Sequence, residues 1–116
     1  MKIIRGKDLD FIPVTHEDAK NSSVVKKVLI RNHDLSFYRI QMVNWAKLSA
    51  GKAESRHAHE SMEEIYIILA GRARIRINSQ DDMLHPGDAV IIPAGSSHEI
   101  MALGNSDVLF IAIGIV

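Results

Sequence analysis

Cysteine is absent from this chain of 116 residues, and that absence already narrows its chemistry. Without a thiol there are no disulfides, no thiolate metal ligands and no cysteine nucleophile, so a transition-metal site has to use histidine and carboxylate side chains. An excess of charge is also lacking, because 14 basic residues balance 14 acidic ones. We therefore expect neither nucleic acid nor an anionic membrane as a partner. Zero net charge also removes one barrier to self-association.

Long hydrophobic runs are missing as well. The apolar stretch at residues 108–116 is too short to cross a bilayer as a helix. Residues 1–11 lack the apolar core of a signal peptide, which predicts a cytoplasmic protein. With 47% apolar residues, the chain can fill one hydrophobic core, and its length predicts a single domain over residues 1–116.

Short strand-like segments separated by Gly, Pro, Asn and Ser make up most of the chain. Residues 1–20 are an N-terminal arm or strand, with no more than a single helical turn, beginning at Thr15. We predict strands over residues 24–31, 37–48, 64–71, 72–78, 89–92, 98–103 and 108–116, with turns at 32–34 and 79–82. Many short strands of this kind indicate a sandwich or a barrel.

Four residues have the spacing and chemistry of a metal site. His57 and His59 are two residues apart, so both imidazoles project from the same face if they lie on a strand. Glu64 begins the following strand, and His98 comes from a later one. Three nitrogens and one carboxylate oxygen suit one divalent ion (Fe, Mn, Zn, Ni or Cu) and leave room for water or substrate.

Two neighbouring acids compete with Glu64 for the carboxylate position. Glu63 would point to the opposite face of the strand, and Glu60 is expected in the loop or at the rim. The predicted ligands are therefore His57, His59, Glu64 and His98.

In their spacing these residues resemble the cupin superfamily. Residues 51–71 fit its first motif, G-x5-H-x-H-x4-E-x6-G, and residues 87–102 fit the second, G-x5-P-x-G-x2-H, which the family continues with Asn where this chain has Ala102. The resemblance implies an all-β fold, a double-stranded β-helix or jelly-roll cupin barrel, in a small single-domain cupin of the conserved-barrel type. It also implies a homodimer, because cupins commonly pair. The departure at Ala102 concerns packing or support and not a metal ligand.

Strand parity extends the predicted site. If Glu64 faces inward, Tyr66 and Ile68 do so too, and from His98 the inward residues are Ile100 and Ala102. This predicts a mostly dry pocket. Tyr66 is either a proton donor near the metal or a packed side chain.

Because cupins include oxygenases, isomerases, decarboxylases, sugar-modifying enzymes and ligand sensors, the fold alone does not define the reaction. Our first hypothesis is a small metalloenzyme, a dioxygenase or an isomerase or lyase, that acts on a small organic molecule. In it Tyr66 or a metal-bound water moves a proton, and Glu64 serves as both ligand and base. The second hypothesis is a non-enzymatic sensor or carrier that binds a metal or metabolite, and the third is a structural metal.

Other residues invite a functional reading that we do not favour. Arg72, Arg74 and Arg76 lie on one face of a strand and could bind an anion. We expect instead a solvated edge hairpin or an interface in which they pair with acids. Trp45 is expected in the core or at an oligomer contact and not in the pocket. His16, His33 and His85 are expected at the surface.

Overall fold

Two antiparallel sheets form the structure, a computed structural model that describes residues 2–14, 23–37 and 39–116. The strands of these residues are β1 (Ile12–Pro13), β2 (Val24–Arg31), β3 (Ile40–Leu48), β4 (Glu63–Ala70), β5 (Arg72–Ile77), β6 (Gln80–Leu84), β7 (Ala89–Ile92), β8 (His98–Leu103) and β9 (Val108–Ile115). Short 3-10 turns occur at Gly6–Asp8 and Asn32–Asp34. Within these ranges no helix is long and apolar enough to cross a membrane. The predicted helical turn at Thr15, like His16, lies outside the described residues.

The large sheet has the order β1-β2-β3-β9-β4-β7, and the small sheet has the order β6-β5-β8. Together they form the jelly-roll barrel that the motifs predicted. Side chains from both sheets fill the core, and Leu48, Ile68, Ile100 and Phe110 are each no more than 1% exposed. The all-β prediction is therefore confirmed.

The predicted inward faces of two strands are confirmed. In β4 the buried residues are Glu64, Tyr66 and Ile68, and the residues between them face outward. In β8 His98, Ile100 and Ala102 are buried. Ala102 pairs with Ala73 in β5 and is 3% exposed, so the position where the family has Asn is here a small apolar core residue.

Two boundaries differ from the prediction by more than one residue. β3 begins at Ile40, and Phe37 is 86% exposed. The turn after β5 consists of Asn78 and Ser79, so β6 already begins at Gln80 and the predicted turn at 79–82 is wrong. A two-residue hairpin turn needs a left-handed residue, and Asn78 supplies it with φ of +53°.

The arginine stripe lies on β5, which forms a hairpin with β6, the edge strand of the small sheet, so the predicted edge hairpin is confirmed. The expected pairing with acids is confirmed at Arg76, whose guanidinium makes two hydrogen bonds to Asp81, at 2.9 and 3.0 Å. Trp45 lies on the outer face of the large sheet and is 38% exposed, so it does not pack in the core, and the alternative of an oligomer contact stays a prediction. His33 and His85 are exposed, as predicted.

Candidate metal centre

The side chains of His57, His59, Glu64 and His98 converge at one end of the barrel. Each offers a ligand atom, and these four atoms all lie within 4.8 Å of one another. Glu64 comes from β4 and His98 is the first residue of β8, while His57 and His59 belong to the irregular segment that precedes β4. The structure thus brings together the four residues that the spacing singled out.

The strand predicted for His57 and His59 is reduced to isolated bridges. His57 pairs with His98 through two backbone hydrogen bonds. The His57 N–H donates to the His98 carbonyl at 3.0 Å, and the His98 N–H donates to the His57 carbonyl at 2.8 Å. A second bridge joins Ala53 to Met101. The backbone therefore fixes two of the candidate ligands directly against each other.

Backbone carbonyls also set the orientation of two imidazole rings. Nδ1 of His57 lies 2.8 Å from the Ser55 carbonyl oxygen, and Nδ1 of His98 lies 3.0 Å from the Ser96 carbonyl oxygen. A carbonyl only accepts, so each Nδ1 carries a proton and donates it. In this tautomer Nε2 is the ring nitrogen with a lone pair that a metal ion can use, which is the usual arrangement around a histidine ligand.

The centre of the cluster contains buried polar atoms that the protein does not satisfy. Glu64 Oε1 lies 3.1 Å from His59 Nε2 and 3.3 Å from His98 Nε2. Within the described part of the chain, neither Glu64 Oε1 nor His98 Nε2 has a hydrogen-bond partner, and both residues are at least 95% buried. Such atoms cost about 1–3 kcal/mol each, a cost that a divalent ion between them would remove. The donor set therefore fits a metal ion.

The charge of the cluster also affects His98. Burial alone would lower the pKa of the His98 imidazole, but the Glu64 carboxylate and the Ser96 carbonyl outweigh that effect and raise it above its usual value. Metal and proton therefore compete for the same nitrogen.

A cavity of about 550 Å³ opens onto the cluster. Its apolar wall includes Tyr66, Phe110 and Ala112, whereas Ile68, Ile100 and Ala102 belong to the core below it. The cavity is more polar than the predicted dry pocket, because six further charged or amide side chains line it: Lys26, Arg31, Asn32, Gln41, Asn44 and Glu54.

Tyr66 lies in this wall with 2% exposure. Burial raises the pKa of its phenol well above the usual value, and the charges of Glu54 and Glu64 raise it further, as does its hydrogen bond to Glu54. Tyr66 is therefore neutral at physiological pH and can act as a hydrogen-bond or proton donor, but not as a base.

Sequence reasoning missed Glu54 and Asn44. Glu54 is 4% exposed, and its Oε1 lies 3.8 Å from Nδ1 of His57. It belongs to an irregular segment where no periodicity marks the inward positions. Asn44 is 5% exposed and its Oδ1 has no hydrogen-bond partner among the described residues. Its parity with Ala46 and Leu48 in β3 was the signal that would have located it.

The match to a protein family covers the same elements. The cupin domain model matches residues 44–114, from β3 through β9 and including all four candidate ligands. The chain belongs to the cupin family. Among curated proteins, this cupin is 37% identical over 67 residues to an oxalate-binding protein from Thermotoga maritima, covering 58% of this chain and 55% of that protein. The match thus spans only about half the length of that relative.

Solved structures show the same barrel. This cupin superposes on a predicted oxalate decarboxylase from Thermotoga maritima with a TM-score of 0.86 and 25% identity, covering 99% of both chains. The polyketide cyclase RemF from Streptomyces resistomycificus gives a TM-score of 0.81 at 21% identity, covering 99% of this chain and 79% of that one. The second likeness shows the fold alone.

Proposed function

We propose that this cupin holds one divalent ion of Fe, Mn, Zn, Ni or Cu at His57, His59, Glu64 and His98. With this ion it acts as a small metalloenzyme, of the dioxygenase or the isomerase or lyase type, on a small organic molecule bound in the adjoining cavity. The observation that carries the proposal is the pair of buried, unsatisfied atoms Glu64 Oε1 and His98 Nε2 at the centre of the four-residue cluster. The lack of cysteine suits the reducing cytoplasm, where we propose that it acts.

A bound divalent ion supplies Lewis acidity, which polarises a substrate oxygen. The surrounding residues define what else the site can do. Tyr66 holds its proton at the phenolic oxygen and can donate it to a substrate oxygen that becomes more basic. Glu54 accepts a hydrogen bond from that phenol and so orients it. Glu64 is the carboxylate ligand and can accept a proton when its oxygen is not engaged.

The alternative is a binding module without catalysis. What supports it is the likeness to a relative that is named for binding oxalate. The same cluster and cavity would then hold a metal and a metabolite without turnover. Loss of metal on mutation is expected in both cases, so only an assay of turnover separates the two.

We further propose that a second copy of this chain covers the outer face of the large sheet. Neighbouring strands place apolar side chains side by side there, in a band across β3, β9, β4 and β7. Its members are Val43, Trp45, Ile65, Ile67, Ile91, Ile111 and Ile113. A band of this kind is typical of an interface, and zero net charge leaves two copies without repulsion.

The experiment that tests the metal centre itself is metal content per chain, by elemental analysis of protein purified without an affinity tag. We expect about one equivalent in the wild type and in H85A, because His85 is an exposed histidine outside the cluster. H98A and E64Q should lose most of it, and added metal should raise the unfolding temperature only of the wild type and H85A. Stoichiometric metal in both H98A and H57A would rule out the assignment.

A further inference from the structure

Lys26 and Lys27 are neighbours in β2 with opposite surroundings. Lys27 faces outward, where its Nζ donates a hydrogen bond to the Gly6 carbonyl at 2.8 Å and lies 4.8 Å from the centre of the Phe11 ring. Lys26 faces inward and lines the cavity together with Val24 and Val28, the residues two positions away on either side. The strand therefore places one ammonium group over the interior, on an otherwise apolar stretch of β2.

Lys26 has no ion pair or hydrogen bond within the described part of the chain. It is half-buried, and burial lowers the pKa of its ammonium, as does repulsion from Arg31, while Glu64 and Glu54 act in the opposite direction. A half-buried cation without a direct partner, beside a second cation in the same cavity, is stabilised when an anion joins them.

The charges around the cavity give the charge of that anion. Lys26 and Arg31 balance Glu54 and Glu64, so the lining is neutral when the histidines are neutral. A divalent ion at the cluster adds two positive charges. A ligand with two carboxylates restores neutrality, whereas a monocarboxylate leaves one positive charge without a partner.

A second observation points to a polar ligand. Asn44 is 95% buried in the cavity wall, and its Oδ1 has no hydrogen-bond partner among residues 2–14, 23–37 and 39–116. Asn44 lies opposite Val28 in the register of β2 and β3, between the strand of Lys26 and the strands that lead to Glu64. Because this oxygen only accepts hydrogen bonds, it calls for a donor beside the carboxylates, such as a hydroxyl group or a water molecule, which an apolar ligand does not bring with it.

We propose that the ligand is a short dicarboxylate, with one carboxylate at the metal centre and the other paired with the Lys26 ammonium. This inference rests on the proposed function, since it assumes a metal ion at the four-residue cluster. β2 is three strand spacings from β4, the strand of Glu64, which is roughly 14 Å along the sheet. Across the barrel, however, Lys26 and Glu64 line the same cavity, and the Glu64 carboxylate acts through space on the Lys26 ammonium.

The test measures binding to the full chain loaded with Mn²⁺, by calorimetry, for oxalate, malonate, succinate and acetate. In the wild type we expect at least one dicarboxylate to bind more tightly than acetate. In K26M its affinity should fall about 10- to 100-fold, the range for loss of one charge-assisted hydrogen bond. Acetate affinity should be nearly unchanged in K26M. The matched control is K27M, which should bind every ligand like the wild type, and K26R should recover part of the affinity.

Metal content is measured before and after ligand addition, because a dicarboxylate can also extract the ion. Unfolding temperatures of K26M and K27M show whether either variant is merely misfolded. If the metal is present and K26M binds the dicarboxylates as K27M does, the inference is wrong and the proposed function stands. The same holds if the wild type prefers no dicarboxylate over acetate. A wild type that takes up no metal overturns the proposed function itself, before any ligand is added.

Discussion

The turn between β4 and β5 allows a quantitative test of the architecture that supports the site. Gly71 stands in this turn with φ of +81°, and a Cβ added there would overlap the Asp107 carbonyl oxygen and come within 3.0 Å of Val108 Cα. Asp107 cannot easily withdraw, because its side chain accepts a hydrogen bond from the Ala50 N–H at 2.8 Å and Val108 is fully buried. We therefore expect G71A to be strongly destabilising.

Gly95 provides the matched control. It has nearly the same backbone conformation, with φ of +80°, but an added Cβ meets nothing within 4 Å. The free energy of unfolding of G95A should therefore fall only by the cost of placing an alanine in the left-handed conformation, about 1–2 kcal/mol. The free energy of unfolding of G71A should fall by that amount and by about a further 1–3 kcal/mol, because the added Cβ overlaps the backbone. At this chain length each kcal/mol corresponds to roughly 3–6 °C in unfolding temperature.

Urea unfolding of both variants and the wild type measures this difference, provided that the slope against urea is the same in all three. Since β4 carries Glu64 and Tyr66, metal affinity should also fall more in G71A than in G95A. Equal losses of stability in the two variants would refute the reasoning, because the contact of a Cβ at residue 71 with residues 107 and 108 would then cost no free energy.

Three further predictions concern Tyr66, the outer face and the surface arginines. Because the folded state keeps Tyr66 protonated while an unfolded tyrosine ionises near pH 10, its contribution to stability is present below that pH and is lost above it. Y66F should lack this alkaline decline in a pH series of unfolding temperatures, and a decline identical to that of the wild type would contradict the assignment. In light scattering we expect a dimer for the wild type and for M83K, whose side chain is exposed on the small sheet, but a monomer for I91K; a dimeric I91K would show that copies meet elsewhere. D81N breaks only an exposed ion pair with Arg76, and its unfolding temperature should stay within about 2 °C of the wild type.

The sequence predicted the barrel well because its informative features are local. Alternation in β4 and β8 located Tyr66, Ile68 and Ile100 on the inner face, and the residues of the two motifs located the candidate ligands. The boundaries failed where a single residue overrides the pattern: Asn78 takes up a left-handed conformation, and β6 begins at Gln80, three residues earlier than the end of the predicted turn allows.

The polar half of the cavity was less predictable. Glu54 lies in an irregular segment, so its burial depends on how the chain crosses to the small sheet through the bridge at Ala53. Lys26 lies in a strand rich in β-branched residues, and the sequence does not tell which of the two adjacent lysines faces inward. Only the register with β3, which pairs Lys26 with Ala46, shows which of them faces the interior.

The paired backbones of His57 and His98 bear on the kinetics of metal exchange. Their side chains are 11% and 2% exposed, and protein contacts hold them as they hold the buried Glu64, so their share of the ordering entropy belongs to folding and not to binding. His59 alone is substantially open, with 35% of its side chain exposed. An incoming ion should therefore bind His59 first and then the three buried ligands, His57, Glu64 and His98. On the proposed function, release has to reverse that order, so we expect a long residence of the metal. H59A should accordingly shorten the residence time of the metal more than it slows folding.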